Sequence, residues 1–330
     1  MAYAAAVQEA TDSALEQALE RLTSLRQYQH HGKRVPHKPL LVLLALGQLE
    51  ATGSSAVPWD LAQDKLADLI TEFGPQTRTG RKQSAAYPFT RLRSDGVWTI
   101  DADIPNDLVG SLDAARPTGR LEAQLERQLR SAPVRNAVAR ALVEAHFPDT
   151  VAPDVLLASG LDPDSVLRAG LVGGAQVVQR QRSRRWVAEI LKAWDECCAL
   201  CGYDGRLGTT PVGIEAAHVR WFNLGGPDDL DNGMALCSLH HKLFDRGALG
   251  LSQNLTLLVS PGFTARTEAS KRVYELHGRE LRPRPGTKLP AEPHRAWHEE
   301  QVFRSAARRL RVSAESAAAP GSPADGPPRA

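Results

Sequence analysis

Cysteine, methionine and aromatic residues are scarce in this chain: four, two and 5% of 330 residues. So few cysteines exclude a disulfide-built scaffold. There is no run of about 18 apolar residues, which excludes a membrane-spanning helix. Nor does a basic segment precede an apolar core at the start. "MAYAAAVQEATDSALEQALERL" carries acids throughout and reads as an amphipathic helix, not a signal peptide. The expected setting is the reducing cytoplasm, where clustered cysteines favour metal over disulfide. Hydrophobic (42%) and charged (24%) content is ordinary for a globular chain, and the length suits about two domains.

Acids are absent from two long stretches. Between Arg21 and Leu49 stand Arg21, Arg26, Lys33, Arg34 and Lys38; between Phe73 and Ser94 stand Arg78, Arg81, Lys82, Arg91 and Arg93. Arg180, Arg182, Arg184 and Arg185 form a third basic group. The net charge of +2 hides this clustering, which suits a phosphate backbone.

Residues 8–30 have helical periodicity, with Leu15, Ala18, Leu22 and Leu25 on one face. "VPHKPLLVLLALGQLEATG" predicts a buried helix with Pro39 in its first turn and Gly53 as its stop. Another helix is predicted from Trp59 to Phe73, then a basic loop and a strand pair turned at Asp95-Gly96. Residues 119–147 read as helical, interrupted near Pro133, and 264–311 as partly helical. "LGLSQNLTLLVS" is strand-like. The expected division is a first domain over 1–155, a linker over 156–181, a second domain over 182–312 and an Ala/Pro/Gly/Ser-rich tail over 313–330.

The second domain holds the ligands. Cys198-x-x-Cys201 and Cys237-x-x-His240 are two short-spaced pairs, 35 residues apart. Together they make the four-ligand set of a closed structural zinc site, with Cys197 as an alternative to Cys198. His218, Asn232 and His241 remain, with 13 and then 8 residues between them. With "AAHV" (216–219), "DNGMALC" (231–237), "HHKLFDRG" (240–247) and the downstream "AWHEEQVF", the chain resembles the HNH endonuclease family over roughly 185–305. The resemblance implies a ββα-metal core in which His218 is the general base, Asn232 holds the connecting loop and His241 ligates a catalytic Mg²⁺ or Mn²⁺. Many relatives place an acid or histidine just before the base, where this chain has Ala217. Glu215, on the same strand face by period-two alternation, is the candidate substitute, the alternative being an ion held by fewer protein ligands and more water; Asp245 is a candidate structural hydrogen-bond partner, the alternative being a metal ligand. Adjacent helical residues point about 100° apart, so His240 can serve zinc while His241 serves the catalytic ion.

"GKRVPHKPLLVLLAL" (32–46) and "AAYPFTRLRSDGVWTID" (85–101) resemble the sulfur-binding domain of phosphorothioate-dependent, McrA-like type IV restriction endonucleases, over about 15–155. Sulfur in place of a non-bridging oxygen accepts hydrogen bonds poorly, so its reader should offer an apolar concavity. The resemblance points to Tyr87 and Pro88 for that surface, and to Arg34, His37, Lys38, Arg91 and Arg93 for neighbouring phosphates and guanine edges. Relatives carry a small residue three positions after the proline. Here it is Arg91, leaving Ser84, Ala85 and Ala86 as alternative lining.

The expected architecture is α+β: a mainly helical DNA-reading domain with a small strand pair, and a zinc-stapled ββα-metal HNH core. The expected partner is double-stranded, phosphorothioate-modified DNA, met by a homodimer because two strands must be cut. The alternatives are an HNH nuclease directed to 5-methylcytosine and a non-catalytic zinc-stapled DNA-binding protein.

Overall fold

The computed structural model describes residues 2–26, 29–30, 33–76, 83–168 and 183–305, with 2–10, 29–30 and 33–34 described by backbone alone. The tail expected at 313–330 and the second half of the expected linker, 169–181, lie outside these residues. Two hydrophobic cores organise the described chain.

In the first, α1 (Ala2–Thr23) buries Leu15, Ala18 and Leu22. Helix α2 (His37–Thr52) is buried continuously from Lys38 to Gly47, because its apolar residues surround it and leave no polar face to solvate. Pro39 falls in the first turn, where a missing N–H costs nothing. Gly53 ends the helix at φ 76°, its N–H reaching back to the Leu49 carbonyl. Helix α3 (Ala67–Phe73) continues the helical run that begins at Trp59. Helices α5 (Ala123–Leu129), α6 (Ala132–His146), α7 (Ala152–Ala158) and α8 (Pro163–Arg168) complete the layer, α6 packing on α1, α2 and its sequence neighbours. Val166 belongs to this core, so residues 156–168, expected as linker, are folded into this layer through α7, a turn and α8.

Two expectations need correcting. Residues 86–91 form helix α4 (Ala86–Arg91), not the first strand of a pair. The reason is spacing: Ala85, Ala86, Phe89 and Leu92 fall on one helical face and all four are buried. Only β2 (Trp98–Ile100) is strand, and its partner comes from the stretch expected to be helical. That partner, β3 (Thr118–Leu121), is the centre of a three-stranded antiparallel sheet, with β2 on one side and β1 (Val57–Pro58) on the other. Gly119 permits this: a Cβ there would stand 2.3 Å from Cζ2 of Trp98.

The second core gathers Trp186, Ile190, Trp194, Met234, Leu236 and Phe244. Strands β4 (Ile214–His218) and β5 (Gly233–Cys237) pair antiparallel, with His218 opposite Gly233 and Ile214 opposite Cys237. Helix α10 (Ser238–Asp245) follows β5 directly and packs on the pair, as does α9 (Arg184–Ala193). A Cβ on Gly233 would lie 2.4 Å from Cδ1 of Ile190, so the bare glycine lets α9 sit close. Strands β6 (Leu249–Leu251) and β7 (Leu257–Val259) form a second pair, and α11 (Glu292–Gln301) lies against β6.

The cores are joined. Trp221 and Val302, from the second half, pack into the first core. Arg246 pairs with Glu72 at 2.6 Å and lies 4.5 Å over the Phe73 ring. Arg304 donates to the carbonyls of Thr71, Glu72 and Gly74, capping the end of α3.

Candidate active site

Cys237 ends β5 and His240 opens the first turn of α10, so the strand–helix junction carries one ligand pair. Cys198 and Cys201 lie on the turn after α9, tied to β5 by the Ala199 N–H on the Ala235 carbonyl at 2.8 Å. The donor atoms of Cys198, Cys201, Cys237 and His240 all lie within 4.8 Å of one another. His240 Nδ1 stands 3.6 Å from Cys198 Sγ and 3.2 Å from Cys237 Sγ. Tetrahedral zinc, with Zn–S of about 2.3 Å and Zn–N of about 2.0 Å, sets S···N edges near 3.5 Å, so this donor set fits such an ion. Hydrogen bonds with Cys201 and Cys237 hold the Cys198 thiol well below the ordinary range. Cys197 faces the Asp195 carbonyl instead and stands outside the cluster, which resolves the choice between neighbouring cysteines.

His241, beside His240, diverges from it. Its Nδ1 is 2.7 Å from Glu215 Oε2, and its Nε2 is 3.2 Å from Asp245 Oδ2, one turn along the helix. Burial alone would lower its pKa, but the two carboxylates outweigh that and push it up to about 9. Burial would likewise raise the Asp245 carboxyl, yet the charged ring and the hydrogen bonds around it hold it below the usual range. The carboxylates differ in access. The Glu215 side chain is 44% exposed and that of Asp245 only 3%. Asp245 also accepts from Trp221 Nε1 at 3.1 Å and from the Thr150 hydroxyl.

His218 ends β4 and is 4% exposed. Its Nε2 lies 2.9 Å from Asp228 Oδ1, and its ring stacks on Trp186 at 3.8 Å and 12°. Asp228 accepts the Ser183 N–H at 3.0 Å with its other oxygen, and Ser183 caps α9, so the histidine is anchored to the start of that helix. Asn232 is fully buried. Its Oδ1 accepts from the Arg220 N–H at 2.8 Å, while its Nδ2 donates to the carbonyls of Arg220 and Pro227 at 3.1 and 2.9 Å. The amide thereby clamps the loop immediately after His218. Strand alternation turns Glu215 and Ala217 to α10, and Ala216 and His218 to α9. Thus His218, Asn232 and His241 share one ββα unit, while the rings of His218 and His241 leave the strand pair on opposite faces.

The basic candidates of the first half are less uniform. His37 opens α2, and burial lowers its pKa to about 4, so the ring is neutral; its edge meets Tyr87 at 6.5 Å. Tyr87 is half-buried and carries the Arg91 guanidinium 5.5 Å over its ring. Arg91 is exposed and paired with Asp107 at 2.5 Å. Arg93 donates to the carbonyls of Thr90 and Ile104 and to Asn106. Two expectations fail here. Lys38 is 5% exposed, with its ammonium committed to Asp95 at 2.5 Å, so it has no surface to offer DNA. Pro88 is buried inside α4 and shows no ring face. Ser84 is exposed, whereas Ala85 and Ala86 are buried. The side chain of Arg34 lies outside the described residues, as do Arg78, Arg81, Lys82, Arg180 and Arg182.

Residues 15–164 match the family model of the ScoMcrA-like DNA sulfur-binding domain, and residues 198–252 match that of the HNH endonuclease. The chain joins a DNA sulfur-binding domain to an HNH endonuclease domain. Among solved structures it is similar to the sulfur binding domain of SprMcrA complexed with phosphorothioated DNA, at 20% identity over 47% of this chain and 96% of that one, with a TM-score of 0.38. It is similar also to the modification dependent TagI restriction endonuclease (24% identity, 36% and 37% of the two chains, TM-score 0.29). A third is the type IV phosphorothioation-dependent restriction endonuclease ScoMcrA (22%, 44% and 34%, TM-score 0.35). The chain thus spans about a third of each of the last two. No curated protein matches it.

Within the HNH domain, nothing in the residue pattern singles out Asp228. It sits in the acid-rich "PDDLD", where nothing in the pattern picks one acid from another. Asp245 had a signal, its i,i+4 spacing from His241. Thr150 had none, because it lies in the sulfur-binding domain and meets the HNH helix only through the fold.

Proposed function

We propose that the chain is a restriction endonuclease that binds phosphorothioate-modified double-stranded DNA and hydrolyses phosphodiester bonds nearby. The observation that carries this reading is the pairing, in one chain, of a DNA sulfur-binding match with an HNH match whose His218, Asn232 and His241 all stand in the ββα frame.

In this reading zinc occupies the Cys198–Cys201–Cys237–His240 cluster and staples the strand–helix junction. Nδ1 of His241 and the Glu215 carboxylate would hold a catalytic Mg²⁺ or Mn²⁺. Two features favour that side of His241. The 2.7 Å gap is close to the roughly 3 Å edge between neighbouring ligands held about 2.1 Å from one ion. Glu215 is also open to solvent, where a phosphate can arrive, and Asp245 is not. Once bound, such an ion polarises the phosphate and stabilises the departing oxygen. His218 donates its Nε2–H to Asp228, which leaves the lone pair on Nδ1 as the base. The water oxygen bonds to phosphorus as its proton passes to Nδ1 and the bond to the departing sugar oxygen breaks. The Trp186–Phe222 cover must part, and the His218 ring must turn from the α9 face toward the face that carries His241 and Glu215, before base and ion can act on one phosphate. Asn232 keeps the loop, and so His218, in register.

On the sulfur-binding domain, neutral His37 and the ring of Tyr87, with Ser84 beside them, are the proposed sulfur-facing surface. Arg34, Arg91 and Arg93 are the proposed phosphate and base contacts, Arg91 exchanging Asp107 for DNA. A homodimer supplies the second strand cut. The test is nicking of phosphorothioate-containing plasmid with Mn²⁺. His218→Ala should lower the rate about 10²- to 10⁴-fold, the usual contribution of a general base, with DNA binding unchanged. Equal rates would remove the catalytic assignment.

A further inference from the structure

The last turn of α10 is docked on the sulfur-binding domain. Lys242 reaches the Thr150 carbonyl at 2.5 Å and Asp154 at 2.9 Å. Arg246 holds Glu72, and Asn223, from the loop after β4, donates to the Glu144 carbonyl at 3.2 Å. At the centre of these contacts lies Asp245, whose carboxylate is nearly closed to solvent. Among the described residues its hydrogen-bond partners are donors from three places: His241 Nε2 on its own helix, Trp221 Nε1 on the loop after β4, and the Thr150 hydroxyl. The last is supplied by the other domain.

Metal-binding histidines generally donate their second ring N–H to a carboxylate, which fixes tautomer and ring angle. Asp245 stands in that relation to His241. With Nε2–H on Asp245, Nδ1 is the nitrogen turned to Glu215. The Asp245 carboxylate must itself be fixed to do this, and a serine or threonine hydroxyl is a single donor that can be spent on it.

We propose that Thr150 of the sulfur-binding domain is a positioning residue of the nuclease site: through Asp245 it sets His241 with Nδ1 toward Glu215, so the reading domain completes the metal site of the cutting domain. This rests on the reading of Glu215 and His241 as ion ligands. It makes the HNH domain depend on its neighbour for more than delivery to DNA.

The test uses the full-length, zinc-loaded chain and measures Mn²⁺ binding by calorimetry, beside binding to a phosphorothioate duplex. Thr150→Val keeps the shape and removes the hydroxyl; Thr150→Ser restores it. Loss of an outer partner of a metal-binding histidine typically weakens affinity about 10- to 100-fold. The expected result is about tenfold weaker Mn²⁺ binding in Thr150→Val, near wild-type binding in Thr150→Ser, and the same duplex affinity in all three. Wild-type Mn²⁺ affinity in a folded Thr150→Val, or equal weakening in Thr150→Ser, would overturn the role of Thr150 while leaving the ion ligands standing. Absence of Mn²⁺ binding by the wild type, or wild-type affinity in Glu215→Gln, would overturn the ligand assignment and this inference with it.

Discussion

Neighbouring histidines in one domain are driven in opposite directions by what faces them. His241 is pushed up to about 9 because two carboxylates outweigh its burial. His298 is lowered to about 4 by burial, which outweighs both its contact with the Phe244 carbonyl at 3.1 Å and the pull of the Asp245 charge; its ring stacks on Phe244 at 3.8 Å. The consequences for stability have opposite signs. A raised pKa adds stability that is lost as pH climbs through the folded value. A lowered histidine pKa adds none above the unfolded value, about 6.5, and penalises the fold as pH falls below it. For His298 the penalty is about 2 kcal/mol by pH 5 and about 3 kcal/mol below its folded pKa. Urea midpoints taken from pH 7 to pH 5 should therefore fall more steeply in the wild type than in His298→Asn; parallel slopes would contradict the buried neutral ring. The sequence could show that His298 stands in "AWHEEQVF", but not that both ring faces and the nitrogen would be enclosed. The same limit applies to Lys38, whose place in a basic stretch suggests DNA and whose actual partner, Asp95, is 57 residues away.

At the scale of elements, the most legible feature was the one with the tightest spacing. Two x-x gaps located the Cys198, Cys201, Cys237 and His240 cluster because each gap is short enough for one turn to aim both side chains together. Helix α10 was legible in the same way, since adjacent imidazoles cannot face one site on a helix. The strand pair at Asp95-Gly96 failed because local turn chemistry says nothing about which distant segment will pair. Trp98 chose Thr118–Leu121, where a glycine accommodates its ring. Cys198 also sits under the second core, so its loss removes more than a ligand. In Cys198→Ser, zinc content should fall from about one ion per chain toward none, and the HNH domain should melt well before the sulfur-binding domain. Full zinc content with an unshifted transition would count against a structural ion. Metal analysis and calorimetry on the same samples read both outcomes.

Taken as a whole molecule, the chain is two cores sharing side chains, not two beads on a string. Trp221 and Val302 sit in the first core, Arg304 caps α3, and Asp245 hangs from Thr150. None of the described chain is a helix long and apolar enough to cross a membrane. The two-domain order was readable from composition and motif, but the join was not, because its residues carry no pattern of their own. In the proposed function, such docking would let the fold set the distance from modification to cut. The most direct measurement is binding and cleavage of three matched duplexes, plain, phosphorothioate-substituted and 5-methylcytosine-substituted, by wild type and His218→Ala. The account predicts tight binding of the sulfur duplex alone by both proteins, with cleavage at a fixed offset by the wild type only. Equal affinity for the three duplexes, or preference for the methylated one, would contradict it.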